Sequence, residues 1–217
     1  MSYAPSVRVV VYDRTCVRTG GHLTPAWAAG TLLYRGLGRI DEVRGVASWP
    51  EALAWLAARP EAIREVQYWG HGRWGSARVS SDVLDRSALA AGHPYRALLE
   101  AVRERLVPGA LVWFRTCETF GARAGIDFAE RLADFLGVRV AGHTYVIGFH
   151  QSGLHGLAPG DRADWSPTEG IAAGTPEDPR RAKRSRPWAP RTITCLTAAV
   201  PAEWFVRRGT GALASSS

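Results

Sequence analysis

A histidine and a cysteine each stand just past a short apolar run. Residues 63–69, IREVQYW, lead into Gly70-His71-Gly72, and residues 110–114, ALVWF, lead into Arg115-Thr116-Cys117. Runs of this length and composition read as buried strands. In a parallel sheet both carboxyl ends point to one edge, and strands close in sequence usually pair. His71 and Cys117 would then lie within a few ångström of each other. An imidazole beside a thiol is the smallest device for nucleophilic acyl transfer: it lowers the thiol's pKa and later protonates the leaving amine. Gly72 leaves room for a substrate carbonyl at its backbone N–H, and with the Cys117 N–H would form an oxyanion hole. A helix beginning near Gly121 would turn its positive end toward the thiol and favour thiolate. Alone, a buried cysteine is often a small apolar filler and a His-Gly is often a turn. The pairing on consecutive core strands carries the functional reading. Cys16 and Cys195 have no such partner in sequence and read as structural.

The elements that must position this pair follow from periodicity and punctuation. Residues 7–12, VRVVVY, read as a first buried strand, followed by a loop over 13–24. A helix is expected over 25–35, capped by Thr24 with Pro25 at its first position. Residues 40–47 read as a short edge strand. Ser48 caps a helix over 49–59. A polar loop is expected over 73–87 and a helix over 94–106. An amphipathic helix is expected over 121–136, with Ile126, Phe128, Leu132 and Phe135 inward and Gly137 as its stop. Residues 138–141 form another strand, which 145–149 extend or pair with. Residues 152–190 read as a long Gly/Pro/Arg-rich loop, 192–199 as a final strand and 208–217 as a flexible tail. Strand–helix alternation argues a single α/β domain over 1–217 with a mostly parallel sheet, whose ligands bind at the carboxyl ends of the strands.

Composition narrows the classes. The chain has 217 residues, 46% hydrophobic and 22% charged, which is globular and excludes disordered, collagenous and coiled-coil proteins. No apolar run approaches the roughly 18 residues of a membrane span, and the N-terminus lacks the basic start and apolar stretch of a signal peptide. The expected setting is cytoplasmic, with no membrane partner. Three cysteines fit neither a disulfide framework nor a CxxC metal site. The net charge is +7, but six of the 27 basic residues fall within 180–191, which leaves 21 against 20 acidic ones. Basicity is thus local, which places nucleic acid last among the partners. Lys183 is the only lysine; with the high Ala and Gly content this reads as a GC-rich bacterial genome.

A strand-His-Gly followed by a strand-x-x-Cys, with about a helix between, resembles the caspase-like cysteine peptidases, a superfamily that includes caspases, metacaspases, legumain, gingipains and separase. The likeness covers residues 7–149, YWGHG and VWFRTCETFG being its motifs. It implies a caspase-like three-layer sandwich, a Cys/His dyad carried by Cys117 and His71, oxyanion donors at Gly72 and Cys117, a peptide or protein substrate, and no cofactor or metal. The tripeptide Arg115-Thr116-Cys117 departs from the caspase and metacaspase forms, and Cys117-Glu118 is closer to legumain. In the family the residue two before the cysteine lines the pocket for the substrate residue before the cut. Arg115 there implies an acidic residue, and Arg14 or Arg18 sits where caspases carry a pocket arginine. The competing reading pairs Arg115 with Glu118 or another acid, away from substrate.

Residues 141–160 place His143, Tyr145, His150, Gln151 and His155 after a strand that should end near the site. His143 and Gln151, with Glu118, are candidate substrate contacts. The histidine spacings fit no helical ligand pair, so no metal is assigned. The 180–191 stretch reads first as a solvated loop, then as a processing site, and last as an anion contact. The functional expectation is a cysteine endopeptidase. The alternative is a catalytically idle caspase-like domain used for protein interaction in bacterial signalling or defence. A nucleotide-binding doubly wound domain ranks third, because DRTCVRTGGH holds no GxGxxG or P-loop pair.

Overall fold

The computed structural model describes residues 6–16 and 23–205; Arg18 and the expected tail over 208–217 lie outside them. In chain order the elements are β1 (Ser6–Asp13), α1 (Leu23–Gly36), β2 (Glu42–Val46), α2 (Trp49–Ala57), β3 (Ala62–Trp69), β4 (His71–Arg73), β5 (Ser76–Val79), β6 (Asp82–Asp85), α3 (Arg96–Arg103), β7 (Leu106–Arg115), α4 (Ala122–Leu136), β8 (Arg139–His143), β9 (His150–Gln151), β10 (Leu154–Leu157), β11 (Ile171–Gly174), β12 (Pro179–Ala182) and β13 (Ile193–Thr194).

The architecture is mixed α/β around a six-stranded sheet ordered β10-β8-β7-β3-β1-β2, in which only β10 runs antiparallel. Val9, Val10 and Val11 of β1 are all buried. A strand covered on both faces has no solvent side to alternate toward, which is why its sequence is a continuous apolar run. On one face, Val9, Val11, Val66, Tyr68, Val112 and Phe114 pack with α2, α3 and α4. On the other, Val10 and Trp69 pack under Tyr34 of α1, and Trp113 packs with Ile193 and Val200 of the C-terminal stretch.

Local signals place the helices. Ser48 Oγ accepts the Glu51 N–H at 3.1 Å and Pro50 occupies the first turn of α2. Gly137 ends α4 in the left-handed region, φ +68°.

The topology fixes where a ligand fits. From β1 the chain steps outward to β2, then crosses back to β3 on the other side of β1 and continues outward to β7 and β8. A crevice opens at the carboxyl edge where the winding reverses. That edge carries Cys16 after β1, His71 after β3 and Cys117 after β7.

Several segments differ from the sequence reading. The expected polar loop over 73–87 is an antiparallel ribbon, β4-β5-β6, together with a short 3₁₀ turn. Its strands have three or four residues, too few for alternation to show. β7 begins four residues before Ala110, and a register slip between the Ile63–Leu106 and Glu65–Leu111 pairs takes up Pro108-Gly109. The expected loop over 152–190 contains β10 and the β11–β12 hairpin. Residues 145–149 form no strand. Of residues 192–199 only Ile193–Thr194 pair, with β9. No helix among the described residues is long and apolar enough to cross a membrane.

Candidate active site

β3 and β7 are parallel neighbours, with Trp69 opposite Arg115. His71 and Cys117 each lie two residues beyond that pair, and both line one cavity of about 470 Å³. Its apolar walls come from Leu23, Trp27 and Leu33 of α1, and from Ile147, Phe149 and Leu196.

Gly72 joins the two halves of the site. A Cβ built there would lie 2.1 Å from Thr119 Oγ1, 2.6 Å from the Cys117 carbonyl oxygen and 2.8 Å from Thr116 Cβ. The β4 backbone therefore rests directly on the turn that carries the thiol. Gly75 N–H completes the seam by donating to Thr119 O at 2.9 Å. Gly72→Ala is expected to push the turn away. Overpacking of this kind costs about 1–3 kcal/mol, a modest fall in melting temperature. Displacing a reacting atom by about 1 Å costs on the order of 10²-fold in rate, so any chemistry carried by the Cys117 thiol should fall far more than stability does.

Cys117 is half-buried, with its Sγ directed at the Ile147 carbonyl at 4.0 Å. Burial pushes its thiol pKa up to about 11; Glu118 adds to the rise, while the Ile147 contact and Arg184 oppose it. The group at rest is a thiol. His71 is exposed at the cavity mouth, its ring edge-on to Trp27 at 5.3 Å. Its Nε2 lies 3.1 Å from Cys16 Sγ. Cys16 is buried under this histidine and is not in a disulfide. The sequence reading took Cys16 and Cys195 as structural. The structure places the first against His71 and the second in the cavity wall.

Arg115 is buried at the cavity floor, 5% exposed. Its Nε and NH2 donate to Gln151 Oε1 at 3.2 and 2.9 Å, and NH1 donates to Tyr34 Oη at 2.8 Å. The carbonyls of Thr194, Cys195 and Thr197 accept its other N–H groups. Trp113, Trp69 and Tyr34 present ring faces to it at 4.4, 5.2 and 5.5 Å. All of these partners are neutral. Arg115 forms no ion pair among the described residues, so the competing expectation of a pair with Glu118 is not met. Burial lowers its pKa, with the Tyr34 contact opposing, yet a guanidinium keeps its proton in proteins. The cavity floor therefore carries a guanidinium with no direct ion-pair partner among the described residues; the carboxylate that acts on it is Glu65, from beyond ion-pair distance.

The other candidates divide. Gln151 lines the cavity and holds Arg115. Arg14 does not: it is exposed, and Glu51 takes its guanidinium at 3.3 Å. Glu51 is held in place by the Ala47 N–H at 2.8 Å, so this pair belongs to the start of α2. His143 does not line the cavity either. It is wholly buried, with Nδ1 3.1 Å from the Ser152 carbonyl and no partner at Nε2. Burial lowers its pKa to about 3. Glu118 sits beside the thiol with φ +35° but outside the cavity lining. Burial raises its carboxyl to about 7, against the pull of Arg73, and its Oε2 is buried without a partner. No cluster of three or more His, Cys, Asp or Glu among the described residues is arranged to hold a metal ion.

Trp27, Tyr34 and Trp69 were missed as site residues. Trp69 precedes His71 by two positions and so shares its side of the strand. Trp27, Gly30 and Tyr34 follow the i, i+3, i+7 spacing of one helix face. Both signals are in the sequence, but both equally describe ordinary core. No protein-family model matches the chain, and no curated protein or solved structure matches it significantly.

Proposed function

We propose that this chain is a cysteine endopeptidase of the caspase-like type, with Cys117 as nucleophile, His71 as general base and acid, and the Arg115 cavity as the pocket for an acidic residue before the cut. The observation that carries the reading is that His71 and Cys117, each two residues past the ends of adjacent parallel strands, line one cavity whose floor holds a guanidinium without a direct ion-pair partner among the described residues.

In this reading His71 Nε2–H donates to Cys16 Sγ, which leaves Nδ1 as the base; a base oriented by a third group is the general form of such dyads. Because the resting thiol titrates near 11, His71 takes the Cys117 proton as the sulfur attacks the substrate carbonyl carbon. The resulting oxyanion accepts N–H from Gly72 and Cys117. As the C–N bond breaks, His71 protonates the leaving amine and a thioester remains. Water then attacks the thioester, giving a proton to His71, which passes it to the departing sulfur. Gly72 lies outside the cavity lining, packed against the turn that carries the thiol.

Substrate selection falls to Arg115. Arg115→Met is expected to lower kcat/KM on peptides with Asp or Glu before the cut by at least about 10²-fold, because the buried charge acts in a water-poor site. It should also cost about 2–4 kcal/mol of stability, since Gln151, Tyr34 and three carbonyls lose their donors. Equal cleavage of acidic and neutral peptides by the unmodified protein would sink the assignment.

A second reading is the idle interaction domain, favoured by one observation: the thiol is held neutral while Cys16 engages the histidine. The deciding experiment digests a proteome-derived peptide library with the protein and with Cys117→Ala and maps the cuts by mass spectrometry. Cysteine-dependent cuts support the peptidase. No cuts, together with Cys117 alkylation unaltered by His71→Ala, support the idle domain.

A further inference from the structure

The excess positive charge of this chain is gathered on one strip of backbone beside the cavity. Elsewhere several arginines meet carboxylates: Arg8 and Arg64 share Asp41, and Arg86 and Arg131 share Asp127, while the exposed Arg35, Arg73, Arg78 and Arg103 stand singly without one among the described residues. Within the basic stretch, Arg180 pairs with Asp178 and Arg191 with Asp164. Arg181, Lys183, Arg184 and Arg186 are exposed and have no carboxylate within ion-pair distance among the described residues.

These four are held in an extended, fixed strap. Lys183 N–H donates to Gly170 O, Lys183 O accepts Val146 N–H at 3.0 Å, and Ser185 N–H donates to Val146 O at 2.9 Å. Ser152 Oγ accepts the Arg186 N–H at 3.2 Å. Val146 is followed by Ile147, Gly148 and Phe149, which form one wall of the cavity, so the strap runs along the outside of that wall. Arg184 acts on the Cys117 thiol, and Arg73, also without an ion pair, acts on Glu118. Of the seven large apolar residues exposed on the described surface, four (Leu23, Leu33, Phe149 and Leu196) lie at the same mouth.

We propose that strap 181–186, with Arg73 beside Glu118, is a docking surface for an extended acidic peptide segment that continues from the residue seated over Arg115. This deepens the peptidase reading and rests on it for the identity of the seated residue. Repeated unpaired guanidinium groups are the usual recognition device for acidic motifs. The apolar rim favours a peptide over a nucleic acid, since it offers side chains somewhere to go and offers phosphates nothing. Trp188, stacked by Arg186 at 5.8 Å, is the only aromatic interleaved with the strap charges.

The test uses the full chain carrying Cys117→Ala, so that binding is read without turnover. The probes are a fluorescein-labelled twelve-residue peptide with four Glu spaced among apolar residues, its Gln-for-Glu counterpart, and a labelled twelve-nucleotide single strand. Anisotropy should show the Glu peptide binding at least tenfold tighter than the Gln peptide. The combined change Lys183→Glu, Arg184→Glu and Arg186→Glu should weaken it at least tenfold, while Arg103→Glu, an exposed change on α3, should leave it unaltered. Equal binding of both peptides, an equal loss with Arg103→Glu, or tighter binding of the oligonucleotide would each overturn the proposal. Tight Glu-peptide binding combined with no cleavage by the unmodified protein would remove the peptidase reading and keep the surface. Cleavage indifferent to the triple reversal would do the opposite.

Discussion

Replacing Cys117 with alanine is expected to abolish the peptide hydrolysis proposed for this chain, a loss on the order of 10⁴-fold or more, as when a covalent nucleophile is removed elsewhere. Fold and stability should be nearly unchanged, because the side chain sits at a cavity wall and makes a single 4.0 Å contact. Cys195→Ser should retain activity, although Cys195 lines the same cavity. The pH behaviour separates the thiol's two states. With a resting pKa of about 11, alkylation by iodoacetamide should be slow at pH 7 and climb about tenfold per pH unit up to that value. Hydrolysis should already be active near neutrality, because His71 removes the proton only during attack. An alkylation curve levelling off near pH 7 would mean a preformed thiolate–imidazolium pair. Activity surviving Cys117→Ala would end the assignment of the nucleophile.

Acid should weaken the fold at His143. Its ring is wholly buried, its pKa lowered to about 3 from 6.5, and its Nε2 has no partner. Between those two values the unfolded chain binds a proton that the folded one refuses, so stability falls as pH falls through that window. The loss amounts to about 3 kcal/mol by pH 4. Other groups share the range. Glu118, raised to about 7, and Glu65, also raised, work with the opposite sign, since their folded forms take up a proton first, and Glu118 alone offsets most of the histidine's loss. Asp41, Asp127 and Glu169 sit below their usual values and add to the acid loss as they protonate. A difference measurement isolates the histidine. His143→Asn keeps a donor toward the Ser152 carbonyl and removes the titration. Urea unfolding of both proteins from pH 7 to 4 should show the gap shifting by about 3 kcal/mol in favour of the variant. Parallel curves would show that the ring is not the acid-labile group.

The parallel core was legible because its strands are buried on both faces and therefore spell apolar runs, as in residues 7–12, 63–69 and 110–114. The same runs delivered His71 and Cys117 to one edge. The ribbon of β4, β5 and β6 was not legible. Its strands are short, and it exists because Gly72 and Gly75 let backbone sit on backbone, a fact about space that sequence spacing does not carry. Arg115 was singled out and lines the cavity, but its surroundings were not foreseen. A guanidinium held by an amide, a phenol and three carbonyls leaves no charge pattern to read. Arg14 misled because a charged residue after a strand looks alike whether it faces a pocket or, as here, the carboxylate of Glu51. Cys16 was overlooked for the converse reason: its partner lies 55 positions away.

The arginine at the cavity floor also sets an order of events in the life of the chain. Its acceptors at Thr194, Cys195 and Thr197 lie some 80 residues downstream, and Tyr34 Oη donates to the carbonyls of Cys195 and Thr197 from the other end of the sequence. All six strands of the central sheet lie before residue 158. A chain emerging from the ribosome can thus bury its main core first, as growing chains do from the N-terminal side. Until the last forty-odd residues of the described chain follow, the guanidinium lacks half its acceptors and the pocket lacks a wall. The cavity is thus completed last, and on the peptidase reading the chain would gain the means to cut only after its own core had folded.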